Sequence, residues 1–277
     1  METENRYLSD IKEIISHRYD HGGDLWTTPD QRILKGSPYS TIGSAHLLLE
    51  LGVDPKGDLL IETANLIFKT WQKSGQFKVY PTGTVYPCQT AHVARTLCHL
   101  GYAFDQRIQK TFQHLLDIQH PDGGWRCNKF SYGRGPETEY SNPFPTLTVL
   151  DAFRFSDYLN NEPALDKAVE FLLEHWTIRR PIGPCHYGIG TLFMQIEYPF
   201  SNYNIFMYVY VLSFYNKAKK DYRFLEALKA LESKMVDGQI IVERNVSKLS
   251  KLSFCKKGEP SILATNRFHE ILVNLGK

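Results

Sequence analysis

Gln119-His120-Pro121-Asp122-Gly123-Gly124-Trp125 closes the amphipathic run 107–120, and its last four residues recur in degraded form along the chain. Gly23-Asp24-Leu25-Trp26, Ser74-Gly75-Gln76-Phe77 and Asp237-Gly238-Gln239-Ile240 each follow a comparable run. A second signature opens the apolar run that comes next: Ser37-Pro38-Tyr39-Ser40-Thr41, Tyr86-Pro87-Cys88-Gln89-Thr90, Asn142-Pro143-Phe144-Pro145-Thr146, Tyr198-Pro199-Phe200-Ser201-Asn202 and Glu259-Pro260-Ser261. The five prolines recur at intervals of 49, 56, 56 and 61 residues. Self-similarity at that period is the mark of a repeat architecture.

Each unit reads as two helices. The first members are expected over 6–17, 56–71, 106–119, 163–175 and 222–233, with apolar residues on one stripe, such as Ile108, Phe112, Leu115 and Leu116, and charged or amide residues elsewhere. The second members are expected over 39–51, 88–100, 145–159, 201–216 and 261–275. Proline is tolerated at a helix start, where the missing N–H has no intrahelical partner. Gly52, Gly101 and Gly276 are natural left-handed terminators. The second members are more apolar and richer in small residues, which suits an inner ring surrounded by an outer, amphipathic one. No strand pattern competes, apart from a short β-like run at 239–242 expected to pair with part of 246–254. Three long connections, 126–142, 179–199 and 237–260, fall at the same junction type and are expected to gather at one end. Loops of that length are usually functional.

The chain has 277 residues, 42% of them hydrophobic and 13% aromatic, enough for a substantial core. It reads as one repeat domain over 1–277. Its net charge of +2 comes without a polybasic stripe, so nothing points to a nucleic-acid partner. No secretory leader or membrane-length apolar stretch is visible, and five scattered cysteines do not suggest a secreted disulfide framework. A soluble, cytoplasmic protein is expected.

The stretch 119–125, with the proline-initiated helix after each turn, resembles the QW-type motif of the prenyltransferase and squalene-cyclase repeat superfamily. That resemblance implies an all-α fold, an α/α toroid of about five hairpins, with a central cavity and an active site at one mouth. It implies an isoprenoid or other apolar small-molecule substrate. The superfamily's catalytic signatures are missing: there is neither an Asp-x-Asp-Asp nor an Asp-x-Cys sequence. Fold alone does not assign an activity.

Three constellations fall on the segments feeding the inner helices. Cys88, Cys127 and Cys185, with His186, could make a tetrahedral zinc site; the plainer reading is unrelated thiols, as no Cys-x-x-Cys pair is present. Glu139, His186, Glu197 and Tyr198 are the candidate acid and base groups, although Glu139 and Glu197 also suit helix capping. Tyr140, Phe144, Tyr187, Phe200 and Tyr203, with Arg134 and Lys256, are candidates for substrate binding. Aromatic faces there, joined by Phe193, Phe206 and Tyr210, could line a cavity and stabilise a developing cation or simply fill the core. His46, His92 and Arg95 lie within inner helices, where a lone histidine is usually a satisfied core residue. Two other classes stay open: a carbohydrate-active lyase or hydrolase using Glu137, Glu139 and Glu197, and a non-catalytic binding or scaffold protein.

Overall fold

Buried hydrophobic side chains form one contiguous cluster running from Ile14 to Ile271, and the helices are arranged around it. The computed structural model describes residues 6–127 and 135–277. Among them are eleven α-helices and no strand. Ten pair as hairpins: α1 (Leu8–Ser16) with α2 (Thr41–Glu50), α3 (Asp58–Phe68) with α4 (Pro87–His99), α5 (Gln106–Asp117) with α6 (Pro143–Phe153), α7 (Pro163–Ile178) with α8 (Ile205–Leu212), and α10 (Tyr222–Glu232) with α11 (Ile262–Asn274). The remaining short helix, α9 (Asn216–Lys219), follows α8.

The two helix types differ in burial as their composition requires. On α5 only Ile108, Thr111, Phe112 and Leu115 are buried, a single stripe at helical spacing. On α8 every residue from Ile205 to Leu212 is buried, and on α6 all but Phe144. The second members pack in chain order, α2 on α4, α4 on α6, α6 on α8 and α8 on α11. The first members pack against them, α1 and α3 on α2, α5 on α4, α7 on α6, and α10 on α8 and also on α7. α11 departs from the expected inner type. Only Ala264, Phe268 and Ile271 are buried, while Ile262 and Val273 are exposed.

The recurrent turn has one physical job in each of the four units that carry it: it drives a large apolar side chain into the core. Trp26, Phe77, Trp125 and Ile240 are all buried. The indole N–H of Trp26 donates to the Ile14 carbonyl at 2.9 Å, and that of Trp125 to the Leu115 carbonyl at 2.7 Å, near the end of the preceding helix. The backbone N–H groups of Phe77, Trp125 and Ile240 donate to the hydroxyls of Thr90, Thr146 and Thr265 in the following helix, at 3.0–3.2 Å. Gly123 has a φ of +93°, and a Cβ there would come within 2.5 Å of the Lys167 carbonyl oxygen. Only glycine fits that position.

The helix starts differ in one respect from the expected pattern. Pro87 and Pro143 occupy the first helical position of α4 and α6. Pro38, Pro199 and Pro260 instead stand before their helices, and side-chain caps take over. Ser40, Asn204 and Ser261 each accept a backbone N–H in the first turn of α2, α8 and α11. The β-like run at 239–242 also pairs elsewhere than expected. Ile241 bridges to Pro260 and Arg244 to Glu197, because 247–249 and 253–255 are wound into 3₁₀ turns.

First and last units are tied together. Asp10, buried on α1, accepts the backbone N–H and hydroxyl of Ser253 and the N–H of Phe254 at 2.9–3.0 Å. The three long connections also touch one another: Gly183 donates to the Glu137 carbonyl, and Glu243 donates to the Ile196 carbonyl. Asp10→Ala strands the buried N–H of Phe254 and loses two part-buried bonds to Ser253, so it is expected to lower unfolding stability by roughly 1–3 kcal/mol. Urea unfolding would check this, and an unchanged midpoint would mean that the tie carries no weight. Among the described residues, no helix is long and apolar enough to cross a membrane.

Candidate functional site

A cavity of about 110 Å³ lies where the second members converge. All five of them contribute: His46, Leu47 and Glu50 from α2, His92, Arg95 and His99 from α4, Asp151 from α6, Tyr210 from α8 and Arg267 from α11. The connection before α8 adds Tyr198, Pro199, Phe200 and Ser201, and Leu249 closes one side. On α4 the three polar side chains recur at three- and four-residue steps, which puts them on one helix face.

Two ionic clusters build the wall. Asp151, 1% exposed, lies 2.5 Å from Arg95 Nε and 2.6 Å from Arg154 Nε. Burial opposes its charge, but the two guanidiniums override it and hold the carboxyl well below the usual range. Arg154 in turn lies against the rings of Phe155, Tyr210 and Phe214. In the second cluster Arg267 grips Glu50 through two hydrogen bonds, at 3.0 and 2.9 Å, and Glu270 at 3.0 Å. The hydroxyl of Tyr198 donates to Glu50 in a short hydrogen bond. Burial and the Glu50 charge push the Tyr198 phenol well above its ordinary value. Beyond the Asp151 ion pair, the Arg95 guanidinium forms no hydrogen bond among the described residues, although the residue is only 5% exposed.

The imidazoles complete the lining. His46 and His99 have ring centres 5.1 Å apart, and His46 and His92 are at 6.0 Å. Burial, then the Arg95 charge, lowers His92 to about 3 and drives His46 well below its usual value. His99 is lowered too, despite Asp151 at 3.6 Å. All three are therefore neutral near pH 7. The Thr96 hydroxyl is 2.9 Å from the His92 carbonyl, which can only accept, and 2.7 Å from His46 Nε2. With its one proton on the carbonyl, Thr96 accepts from His46, which leaves Nδ1 of His46 as the basic nitrogen.

The residues singled out from sequence are distributed over several places. Tyr198 and Phe200 line this cavity. Glu197 is buried and ion-paired with Arg244, and it accepts two hydrogen bonds from Asn202 and one from Ser201. Glu139 has a side chain 77% exposed, 3.6 Å from Arg126. His186 stands 4.0 Å from Glu137, and Lys256 is on the surface, 3.6 Å from Glu259. Phe144, Tyr187 and Tyr203 form an aromatic cluster of their own, with ring centres 5.7–6.4 Å apart. Tyr203 lies 3.0 Å from His175 Nδ1. Tyr140 packs against the core from its edge, and Arg134 lies outside the described residues.

Of the expected thiol set, Cys88 and Cys127 meet with sulfurs 3.4 Å apart. Asn142 donates to Cys185 at 3.2 Å beside them. His186 is turned to Glu137 instead, and among the described residues no group of three or more His, Cys, Asp or Glu side chains is arranged to hold a metal ion. No metal-dependent step is therefore derived from these side chains.

The groups that sequence reasoning passed over are Glu50, His99, Asp151 and Arg267, and it treated His46, His92 and Arg95 mainly as core or surface residues. Tyr210, one of the aromatics expected to line a cavity or fill the core, does line this cavity. The available signal was polar spacing on otherwise apolar helices: 46 and 50 on α2, and 92, 95 and 99 on α4. In comparisons with models of known families and with curated proteins, the chain matches none of them.

Proposed function

We propose that this protein is an enzyme built as an α/α toroid, whose central cavity carries out acid–base chemistry on a small substrate bearing an anionic group. The sequential packing of α2, α4, α6, α8 and α11, with the tie between first and last units, supports the toroid. The observation that carries the function is Arg95, a nearly buried guanidinium lining the cavity: its Nε is paired with Asp151, and no hydrogen bond among the described residues engages its terminal nitrogens. A carboxylate or phosphate oxygen is the natural acceptor for it.

Beside that anchor, His92 and His46 are the candidate bases: burial and the Arg95 charge keep them neutral and weakly basic in the free protein, and an anion offsetting that charge would raise their basicity. Leu47, Pro199, Phe200 and Leu249 give part of the lining an apolar character that suits a short hydrocarbon body. The arginines in the cavity lining suit the head group of an isoprenoid diphosphate. A glycosidase-type pair would have to use Glu50 and Asp151, and each is already neutralised by arginine.

Calorimetric titration with phosphate, diphosphate, sulfate and acetate, against neutral analogues, tests the proposal. Anions are expected to bind, with Arg95→Met weakening them by roughly 30-fold or more, as loss of a buried charged hydrogen-bond partner costs about 2 kcal/mol or more. Arg95→Lys should retain part of the affinity. Equal titrations for wild type and Arg95→Met would overturn the proposal.

A further inference from the structure

We infer that Cys88 and Cys127 are a redox modification site, closing to an intramolecular disulfide when the protein meets a low-molecular-weight disulfide such as oxidised glutathione. Cys88 occupies the second position of α4, and Cys127 lies two residues beyond the buried Trp125. Their sulfurs, 3.4 Å apart, are in contact. A disulfide requires about 2.05 Å, so closure needs an approach of little more than an ångström. Both partners are held in register by the fold. Pro87 starts the helix under Cys88, and the Asn142 N–H donates to the Trp125 carbonyl at 3.0 Å, fixing the backbone just before Cys127.

Access is graded across the cluster. Cys88 and Cys185 are partly exposed, and Cys127 is buried. A small disulfide R–S–S–R therefore reaches Cys88 before Cys127, and the sulfur contact between these two selects the pair. The Cys88 thiolate attacks one reagent sulfur, the reagent S–S bond breaks, and one R–S⁻ leaves and takes up a proton. The Cys127 thiolate then attacks the Cys88 sulfur of the mixed disulfide and expels the second R–S⁻. The balance is two protein thiols and one R–S–S–R giving one protein disulfide and two R–SH. The protein loses two electrons, which the reagent sulfurs gain.

The hydrogen bond with Cys127, and then burial, push the Cys88 thiol up, and burial raises Cys185 to about 11. The thiolate is the nucleophile, so exchange is slow at neutral pH and speeds up as the solution becomes alkaline. The cross-link would join the first turn of α4 to the connection that leads into α6. Those are the two helices that carry Arg95 and Asp151.

The experiment is incubation of the native full-length protein in oxidised glutathione at pH 7.5 and pH 9, followed by alkylation and peptide mass mapping. The expected product is a Cys88–Cys127 linked peptide, lighter by two hydrogens and reversed by dithiothreitol. It should form faster at pH 9 and be lost in Cys88→Ser but kept in Cys185→Ser. Circular dichroism would verify that both variants are folded. Recovery of Cys88 and Cys127 as alkylated thiols or as glutathione adducts would overturn the inference. So would a bond from Cys127 to Cys185 in the wild type.

Discussion

Asp151→Ala is expected to lower folding stability by about 3–5 kcal/mol, the cost of stranding buried charges by removing one partner. Few single changes should cost this protein more. The substitution leaves Arg95 and Arg154 facing each other without the carboxylate between them. Arg154 has a side chain only 8% exposed, so water cannot take over its charge. A typical domain has only about 5–15 kcal/mol in total, and the variant would therefore unfold at a much lower urea concentration. A second substitution separates charge from packing. In Asp151→Leu combined with Arg95→Met, one guanidinium is gone and apolar volume replaces the pair. That double variant should be more stable than Asp151→Ala, as a buried ion pair is often replaceable by well-packed apolar residues. An Asp151→Ala protein within about 1 kcal/mol of wild type would mean that the cavity wall does not depend on this cluster.

The fold was far more legible in the sequence than the site, and the reason is the range of the interactions involved. The turn at 122–125 announces itself because local rules govern it: a left-handed glycine, an aspartate accepting nearby N–H groups, and an apolar residue that must be buried. Asp122 accepts from Gly124 N–H at 3.1 Å and from Ser141 at 2.7 Å. Even there one function was hidden. Thr90 and Thr146 stand three residues after their prolines, in plain view, yet their role as acceptors for Phe77 and Trp125 needs the turn and the next helix to be folded together. The cavity is harder still. Glu50 and Arg267 are separated by 217 positions, and neither is unusual among its neighbours. Proximity in the repeat was a poor guide to chemistry, because residues such as Glu197 that lead into a second helix are used up in pairing within that connection's surroundings. The polar residues that line the cavity come instead from the middle and ends of the helices.

Acidification from pH 7 to pH 5 is expected to destabilise the protein by several kcal/mol, and bound anion should reverse part of that loss. His175 is fully buried; its Nε2–H donates to the Arg180 carbonyl and its Nδ1 faces the Tyr203 hydroxyl. Burial lowers it to about 4, and His92 in the cavity wall to about 3. In the unfolded chain both protonate below about pH 6.5, so the unfolded state binds more protons and gains on the fold as pH drops. Stability is complete above pH 6.5 and declines below it at about 1.4 kcal/mol per pH unit for each such imidazole. At pH 5 His175 alone accounts for about 2 kcal/mol, and His92 adds up to a similar amount, reduced where cavity water reaches its ring. His46 and His99 act in the same direction. The depressed carboxyls of Asp151 and Glu50 enter only near pH 4 and below, where their unfolded counterparts protonate, so the two effects separate. The anion supplies the functional half of the test. Seated on Arg95, it would favour protonation of His92 and His46, and by reciprocity those protons would tighten its binding. Sulfate keeps its charge over this range, so urea unfolding at pH 7 and pH 5, with and without it, reads the coupling. Wild type should recover the cavity histidines' share at pH 5 and not that of His175, while Arg95→Met should recover nothing beyond the general salt effect. A wild-type curve that stays flat from pH 7 to pH 5 would show that these imidazoles are not held neutral. Equal recovery in both proteins would remove Arg95 as the anchor and, with it, the anionic substrate.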